Sequence, residues 1–361
     1  MSNEKVTFFF PRFSTYYTIE ELNLEDHQFF SSWKHLTLRT WIIQTYLRLK
    51  ELNLNVHISE SWPEEGTVVL LSDKESMGSL KANFSKINKQ VNIITIRADE
   101  IQWRPFYTDI EIVQNGLFAN DKDCFFIPHW PQPGIIKRDP NRKQEIKNIV
   151  FKGGKGSLDS IFYSERWDHE IKKRNLNFIC NTEHTLTDWA NYYEADLTLA
   201  VRPQFGDKYK RSDKPASKLV NSWFAKVPAI LGEEYPFKEL RKSNLDYLEV
   251  NTLKQAVEAI DLLIADRQLY QNMVDNGIMR SQEFSTNKIA EKWKNLLFEI
   301  VPKVREETKY KRSRMFRGNN RKIYHFITRE QTSFEYKKRI GSIYRSFFYK
   351  PANKEESNVN N

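Results

Sequence analysis

The chain has little cysteine and no long apolar run. Its two cysteines, Cys124 and Cys180, lie far apart and show no metal-ligand spacing, so neither a disulfide framework nor a zinc module is supported. Apolar runs stay short of the roughly 18 residues that a membrane-spanning helix needs, and the N-terminal run is too short for a signal sequence. We therefore expect a protein of the reducing cytosol without an integral membrane segment.

Apolar content is sufficient for two globular domains, because 361 residues with 40% hydrophobic and 14% aromatic content exceed what one core usually serves. The net charge of +9 is unevenly placed. Between Lys303 and Lys350, 15 Lys and Arg accompany four Glu, a surplus of 11 that leaves −2 for the rest of the chain. The basicity belongs to a tail, which disfavours nucleic-acid binding through a folded domain.

Short β-branched or apolar runs alternate with helical periodicities in two successive series, which is typical of parallel sheets covered by helices. The segment HWPQPG, His129–Gly134, has two prolines and a glycine and marks a hinge. The predicted fold class is α/β, with two Rossmann-like doubly wound domains facing a central cleft and a basic helical C-terminal tail. The predicted parts are an acceptor-side domain at 1–133, a linker at 134–148, a donor domain at 149–285, a helix at 286–302 that crosses back to the first domain, and a tail at 303–361.

Two predicted helices bear on the site. Apolar residues at spacings of three, four or seven predict a helix over roughly Asp26–Leu52. LTDWANYYEAD, Leu186–Asp196, predicts a second helix in the donor domain.

The most informative segment is KPASKLVNSWFAKVPAILG, Lys214–Gly232. Proline and small polar residues open a helix with one apolar stripe, and VPAILG then forms a buried strand. The run resembles the donor-binding segment of GT-B glycosyltransferases, in which a P-S-K-L…A…P-V-I pattern places a helix N-terminus against the diphosphate of a nucleotide sugar. Free N–H groups and the positive end of a helix suit a diphosphate, and Ser217 and Lys218 add a hydroxyl and a charge. The alternative is an ordinary helix capped by Ser217 with a solvated lysine.

The resemblance covers about Ile149–Gly277 and implies the GT-B architecture, a nucleotide-sugar donor and transfer to a glycan or lipid-linked acceptor. One departure is that many retaining members carry a glutamate pair around this helix, whereas Asn221 and Trp223 stand here. Glu239 follows the next strand and can reach the ribose diol, since a carboxylate accepts two hydroxyl hydrogen bonds; the alternative is a solvated loop.

Two further features are expected beside the diphosphate. FKGGKGS follows the first strand of the donor domain, so the amides of Gly153 and Gly154 can approach phosphate and Lys155 adds charge. A plain surface turn is the alternative. Arg202, at the end of LTLAVRP, either grips the diphosphate or pairs with Asp207 or Asp213.

Asp121 and Asp123 match the DxD metal pattern, but Asn120 and Lys122 favour a solvated turn, so no metal or other cofactor is expected. The acid–base candidates are Asp26, His27 and His35, on or near the first helix; histidine titrates near neutrality and can take a proton from the acceptor. A polar helix surface is the alternative interpretation.

The tail combines aromatic residues at helical spacing from Tyr336 to Phe348 with basic residues around them, a pattern that suits anionic lipid headgroups, although such a helix can also pack on the protein. These features together predict a metal-independent glycosyltransferase of polysaccharide biosynthesis, cytoplasmic and peripheral to the inner face of a membrane. The alternatives are a non-catalytic nucleotide- or glycan-binding protein, or a nucleic-acid-binding protein that uses Lys309–Lys322.

Overall fold

The computed structural model describes most of the first 304 residues. The described residues are 4–24, 26, 29–30, 35–83, 87, 90–98, 108–181, 189–203 and 214–304. Residues 1–305 form one compact unit, and residues 306–361 lie outside it. His27 and nearly all of the basic tail lie outside the described residues.

The described strands form two sheets, and their runs of buried side chains are those that parallel sheets covered by helices require. The first sheet contains β1 (Val6–Phe9), β2 (Val56–Ser59), β3 (Gly66–Leu71), β4 (Val91–Arg97), β5 (Ile110–Val113) and β6 (Cys124–Phe126). The second contains β7 (Asn148–Lys152), β8 (Asn177–Asn181), β9 (Leu197–Ala200), β10 (Ala229–Leu231) and β11 (Leu248–Glu249).

Both sheets are wound in the same way. The first has the order β2-β1-β3-β4-β5-β6 and the second β8-β7-β9-β10-β11, and all neighbouring strands are parallel. In each sheet the chain leaves the first strand toward one side and then returns to the other. This reversal opens a crevice at the carboxyl ends of β1 and β3, and another at those of β7 and β9. The predicted α/β class with two doubly wound sheets is confirmed.

Helices cover the sheets and begin at recognisable caps. Side-chain oxygens of Ser164, Thr252 and Asp266 each accept a backbone N–H from the first turn of the helix that follows. Among the described residues, the α-helices of four residues or more are α1 (Phe13–Tyr16), α2 (Gln44–Glu51), α3 (Lys74–Asn83), α4 (Glu165–Lys173), α5 (Ser217–Ala225), α6 (Tyr235–Leu240), α7 (Leu253–Ala265), α8 (Arg267–Ser281) and α9 (Thr286–Asn295). No described helix is both long and apolar enough to span a bilayer.

The last described helix belongs to the first sheet. The fully buried ring of Trp293 on α9 lies 6.3 Å from Phe8 and 6.5 Å from Trp41, centre to centre. A π-helical turn, Leu296–Ile300, extends α9, and the buried Val301 belongs to the same core. The chain therefore starts in the first sheet, forms the second, and returns to the first.

The linker is tied to the second sheet through Asp196, which is fully buried. Its carboxylate accepts hydrogen bonds from Arg138 at 2.7 Å and Arg142 at 2.6 Å, and from the backbone N–H groups of Lys147 and Asn148. The linker is thus fixed at the amino edge of the second sheet, where β7 begins.

One helix prediction holds only in part, and the other is wrong. The helix predicted from Asp26 is interrupted at His35, whose φ of 58° lies in the left-handed region that a right-handed helix cannot continue through. Phe29 and Phe30 before it are helical, and the first helical turn after it is Leu36–Leu38. A π-helical turn, Arg39–Ile43, joins this first helical turn to α2. The described part of the second predicted helix, Trp189–Asp196, consists of turns.

The linker explains the second error. The N–H of Ile136 donates to the carbonyl of Ala190, and the N–H of Tyr192 donates to the carbonyl of Ile136, both at 2.9 Å. These backbone groups form a parallel bridge between Ile136 and Asn191 and are not available for helical hydrogen bonds.

Candidate functional site

The crevice of the second sheet lies between the carboxyl ends of β7 and β9. β7 ends at Lys152 and runs into Gly153 and Gly154, and a 3-10 turn, Lys155–Ser157, follows. β9 ends at Ala200, two residues before Arg202. The structure therefore places the predicted glycines, Lys155 and Arg202 at one edge of the sheet.

Lys218 lies over Gly153. A Cβ built on Gly153 would lie 3.2 Å from Cε of Lys218 and 3.4 Å from its Nζ, and the φ of Gly153 is +155°. The ammonium is 5.8 Å from the centre of the Phe151 ring. The absence of a side chain at Gly153 thus lets a cation from α5 reach the end of β7.

The N-terminus of α5 has no capping side chain. Ala216 occupies the cap position, so Ser217 is the first helical residue and not the cap that the alternative interpretation required. Serine, threonine, aspartate or asparagine usually accept the free N–H groups at this position, and alanine cannot. The first turn therefore presents N–H groups and the Lys218 charge at the same end of the helix, a combination suited to an anion.

Arg202 ties three loops together. Its Nε donates to Glu234 at 2.9 Å and its Nη1 donates to Oγ of Ser157 at 2.8 Å. Glu234, only 2% exposed, precedes α6, while Ser157 belongs to the glycine turn. Asp207 and Asp213, the expected protein partners, lie outside the described residues. Sequence reasoning missed Glu234, although it follows β10 more closely than Glu239 does.

Residues that follow strands of both sheets line one pocket at the cleft, which we call the cleft pocket. The contact that closes it runs from the backbone N–H of Gly116, after β5, to Oε1 of Glu239 on α6, at 2.6 Å. Burial raises the pKa of Glu239, and the hydrogen bond from Gly116 opposes that rise. The pocket is lined by Gln114, Phe126, Pro128, His129, Ala216, Ser217, Val220, Pro236, Glu239, Leu240 and Phe284.

A second contact crosses the cleft nearby. The N–H of Gln132, in the predicted hinge, donates to Oδ1 of Asn221 at 3.1 Å. Asn221 is one of the two residues that stand where the resemblance leads one to expect an acid. In this structure its amide oxygen binds the backbone of the predicted hinge.

His129 was missed as a site residue because HWPQPG had been interpreted only as a hinge. It follows β6 at the carboxyl edge of the first sheet and lines the cleft pocket. Its Nδ1 lies 2.6 Å from the carbonyl oxygen of Trp130. Because a carbonyl only accepts, Nδ1 carries the proton, which makes Nε2 the acceptor nitrogen of the neutral ring.

Two of the three acid–base candidates, Asp26 and His35, lie within the described residues. Asp26 is exposed, and its Oδ1 accepts the N–H of Phe29 at 2.9 Å. His35 is half-buried at the carboxyl end of β1, with its ring 4.3 Å from Tyr16 and 6.0 Å from Phe10, centre to centre. His35 thus lies beside the crevice of the first sheet, whereas Asp26 lies on the surface.

Asp73 is another acid at that crevice, directly after β3. Its carboxylate accepts the N–H of Ser76 at 2.7 Å and the hydroxyl of the same residue at 3.1 Å. Burial raises the pKa of Asp73, and the hydrogen bonds from Ser76 act in the opposite direction.

Asp121 and Asp123 lie at the other edge of the first sheet, because they precede β6 and therefore sit at its amino end. The side chain of Asn120 organises this turn by accepting the N–H groups of Lys122, Asp123 and Cys124. Within the described residues, no group of three or more His, Cys, Asp or Glu is arranged to hold a metal ion.

No protein-family model matches the chain, and no curated protein matches it in sequence. Among solved structures it is similar to TarM of S. aureus, with 11% identity and a TM-score of 0.45; the match covers 70% of this chain and only 58% of TarM. It is similar to Anabaena HepE (Alr3699), solved with UDP and glucose, with 9% identity, a TM-score of 0.48 and coverage of 81% and 99%. A glycosyltransferase from Rickettsia africae matches with 9% identity, a TM-score of 0.47 and coverage of 83% and 99%. Because these TM-scores are below 0.5, the architecture of this chain rests on its own strand order.

Proposed function

We propose that the chain is a glycosyltransferase that binds the diphosphate of a nucleotide sugar at the N-terminus of α5 and transfers the sugar to a glycan or lipid-linked acceptor. The observation that supports this is the position of Lys218 over Gly153, in the crevice between β7 and β9. Ligands of doubly wound sheets bind at such a crevice, and here it combines close backbone approach, a helix N-terminus that no side chain caps and a cation.

The chemistry follows from this arrangement. An acceptor oxygen attacks the anomeric carbon of the sugar, the bond from that carbon to the diphosphate breaks, and negative charge develops on the departing phosphate. Lys218 and the first N–H groups of α5 are placed to stabilise that charge, so the proposed reaction needs no metal. Turnover that is lost in EDTA and restored by manganese would contradict this part of the proposal.

We propose that the acceptor binds at the carboxyl edge of the first sheet. His35 and Asp73 lie at its crevice and His129 at the cleft pocket, and each is chemically able to take a proton from an acceptor hydroxyl. The composition of the tail supports a location on the cytoplasmic face of an anionic membrane, where lipid-linked acceptors and polysaccharide precursors are found.

The experiment is a titration with nucleoside diphosphates of different bases, followed by the variant Lys218→Ala. We expect Lys218→Ala to weaken binding of the best nucleotide by about 1.5 to 3 kcal/mol, the range for a hydrogen bond to a charged group. Calorimetric titration measures this change. The matched control is Lys254→Ala, which removes a lysine from the same position, the second residue, of α7, where the side chain is 80% exposed.

The control should bind the nucleotide like the unmodified protein. Equal affinity in Lys218→Ala and Lys254→Ala would remove Lys218 from the site. If the protein binds nucleotide sugars without turning any over in the presence of candidate acceptors, it is a nucleotide-binding protein and not a transferase.

A further inference from the structure

We infer that the donor sugar carries no carboxylate, so that the substrate is a nucleotide sugar with a neutral sugar and not a uronic or other acidic one. This inference rests on the proposed function and concerns the cleft pocket. Its physical basis is a half-buried glutamate, Glu239, at the place where the sugar has to lie.

The pocket adjoins the candidate diphosphate site through α5. Ser217, the first residue of that helix, lines the pocket, while Lys218 in the same turn lies over Gly153. A group attached to a diphosphate at this helix terminus therefore reaches the pocket directly.

That group is the sugar, because the opposite wall belongs to the first sheet. Gln114 follows β5, and Pro128 and His129 follow β6. The anomeric carbon must lie between the sheet that holds the diphosphate and the sheet that holds the acceptor. The nucleoside does not react with the acceptor, so it does not have to lie between the two sheets.

The lining suits a neutral sugar. Glu239 accepts one hydrogen bond, from Gly116, and a carboxylate has further lone pairs for sugar hydroxyls. Gln114 and His129 add polar groups, while the rings of Phe126 and Phe284 supply apolar surface for the C–H faces of a pyranose.

The same lining opposes a second negative charge. A donor carboxylate would share a partly desolvated pocket with Glu239, and like charges repel strongly where water is scarce. Among the described residues that line the pocket, none is lysine or arginine. A neutral sugar brings no charge into the pocket, so Glu239 does not repel it.

The test compares two donors that differ only in the carboxylate, after the best nucleoside diphosphate has been identified. For uridine the pair is UDP-glucose and UDP-glucuronate, and for guanosine it is GDP-mannose and GDP-mannuronate. We expect the neutral member to bind at least about tenfold more tightly than the acid. Glu239→Gln should bind the acid more tightly and narrow the ratio at least about threefold.

Glu233→Gln is the matched control, because it removes the same charge from a residue that pairs with Lys238 and Asn251 outside the pocket. It should keep the ratio of the unmodified protein. The inference is overturned if the acid binds as tightly as the neutral sugar, if Glu239→Gln keeps the ratio, or if neither sugar competes with the parent diphosphate. Failure of every nucleoside diphosphate to bind would instead refute the proposed function. That result would appear in the first titration, before any sugars are compared. Binding of the parent diphosphate by Glu239→Gln shows that the variant is folded.

Discussion

Gly116 is a residue whose role depends on having no side chain. A Cβ at this position would lie 2.3 Å from Oε1 of Glu239, so Gly116→Ala must displace that carboxylate or the loop after β5. We expect turnover of a nucleotide sugar to fall roughly 10- to 100-fold, because small misplacements at a reacting centre have effects of that size. Affinity for the nucleoside diphosphate, which depends on Lys218 and Gly153, should stay within about twofold. Steady-state kinetics and titration measure the two quantities separately.

Gly78→Ala is the control for this substitution. Gly78 lies inside α3, and a Cβ there would meet nothing within 4 Å. Alanine should raise the free energy of unfolding by about 0.5 to 1 kcal/mol, because it is the better helix former, and leave turnover unchanged. A Gly116→Ala variant with normal turnover would show that the contact across the cleft is dispensable.

The residues of the site differ in how far the sequence could predict them. Gly153, Lys155 and Arg202 directly follow buried strands, and the carboxyl ends of parallel strands meet at one edge, so their proximity follows from local patterns. Glu234 is 32 residues from Arg202, and Glu239 is 123 residues from Gly116. Such pairs depend on how separate elements pack, which no periodicity in one segment specifies.

At the scale of elements, the linker depends on one buried charge. The carboxylate of Asp196 accepts hydrogen bonds from Arg138 and Arg142, both of which belong to the linker. Asp196→Asn leaves those guanidinium groups without their anion, and we expect the free energy of unfolding at pH 7 to fall by about 3 to 5 kcal/mol. Chemical denaturation measures this loss.

The pH dependence provides a second measurement on the same variant. Burial alone would raise the pKa of Asp196, but hydrogen bonds from Arg142, Asn148, Lys147 and Arg138 outweigh it, and the folded-state pKa lies below its usual value. An acid with a lowered pKa stabilises the fold above its unfolded pKa of about 3.9 and loses that contribution as pH falls through the folded value. We therefore expect the stability difference between Asp196→Asn and the unmodified protein to shrink below about pH 4.

A comparable substitution at the surface separates burial from charge. Asp261 pairs with Arg174 at 2.6 Å and is 49% exposed. Asp261→Asn should change the free energy of unfolding by at most about 1 kcal/mol, the usual range for an exposed pair. Equal losses in the two variants would mean that burial of Asp196 adds nothing.

Strands were easier to predict than helices in this chain. β3, β4 and β9 are continuous buried apolar runs, and their composition leaves few alternatives. Leu186–Asp196 has a helical spacing of apolar residues, yet the linker claims the backbone groups of Ala190 and Tyr192. Tertiary hydrogen bonds of this kind override a local periodicity. The left-handed backbone conformation of His35 likewise interrupts a helical periodicity.

At the scale of the whole molecule, the surplus of 11 positive charges between Lys303 and Lys350 predicts reversible attachment to anionic membranes. Each basic residue near such a surface contributes on the order of 1 kcal/mol. The compact unit ends at Arg305, so a chain truncated there should keep its nucleotide affinity and no longer sediment with anionic vesicles. Binding of the full chain should fall steeply as salt rises, since the attraction is screened within about 8 Å at physiological ionic strength. Sedimentation of the truncated chain with anionic vesicles would refute the role of the tail.

The return of α9 to the first sheet also has a consequence for biosynthesis. Phe8 leaves the ribosome long before its neighbour Trp293, which is made 285 residues later. At roughly 5 to 20 residues per second, that interval lasts about 15 to 60 seconds. During that time the apolar residues of the first sheet that pack against α9 remain without this helix. The second sheet has its own core, made from residues that emerge within one continuous stretch, and it can close earlier. The second sheet can therefore fold before the first, although most of the first is translated earlier. The N-terminal half is consequently the part that stays accessible to a chaperone for the longest time.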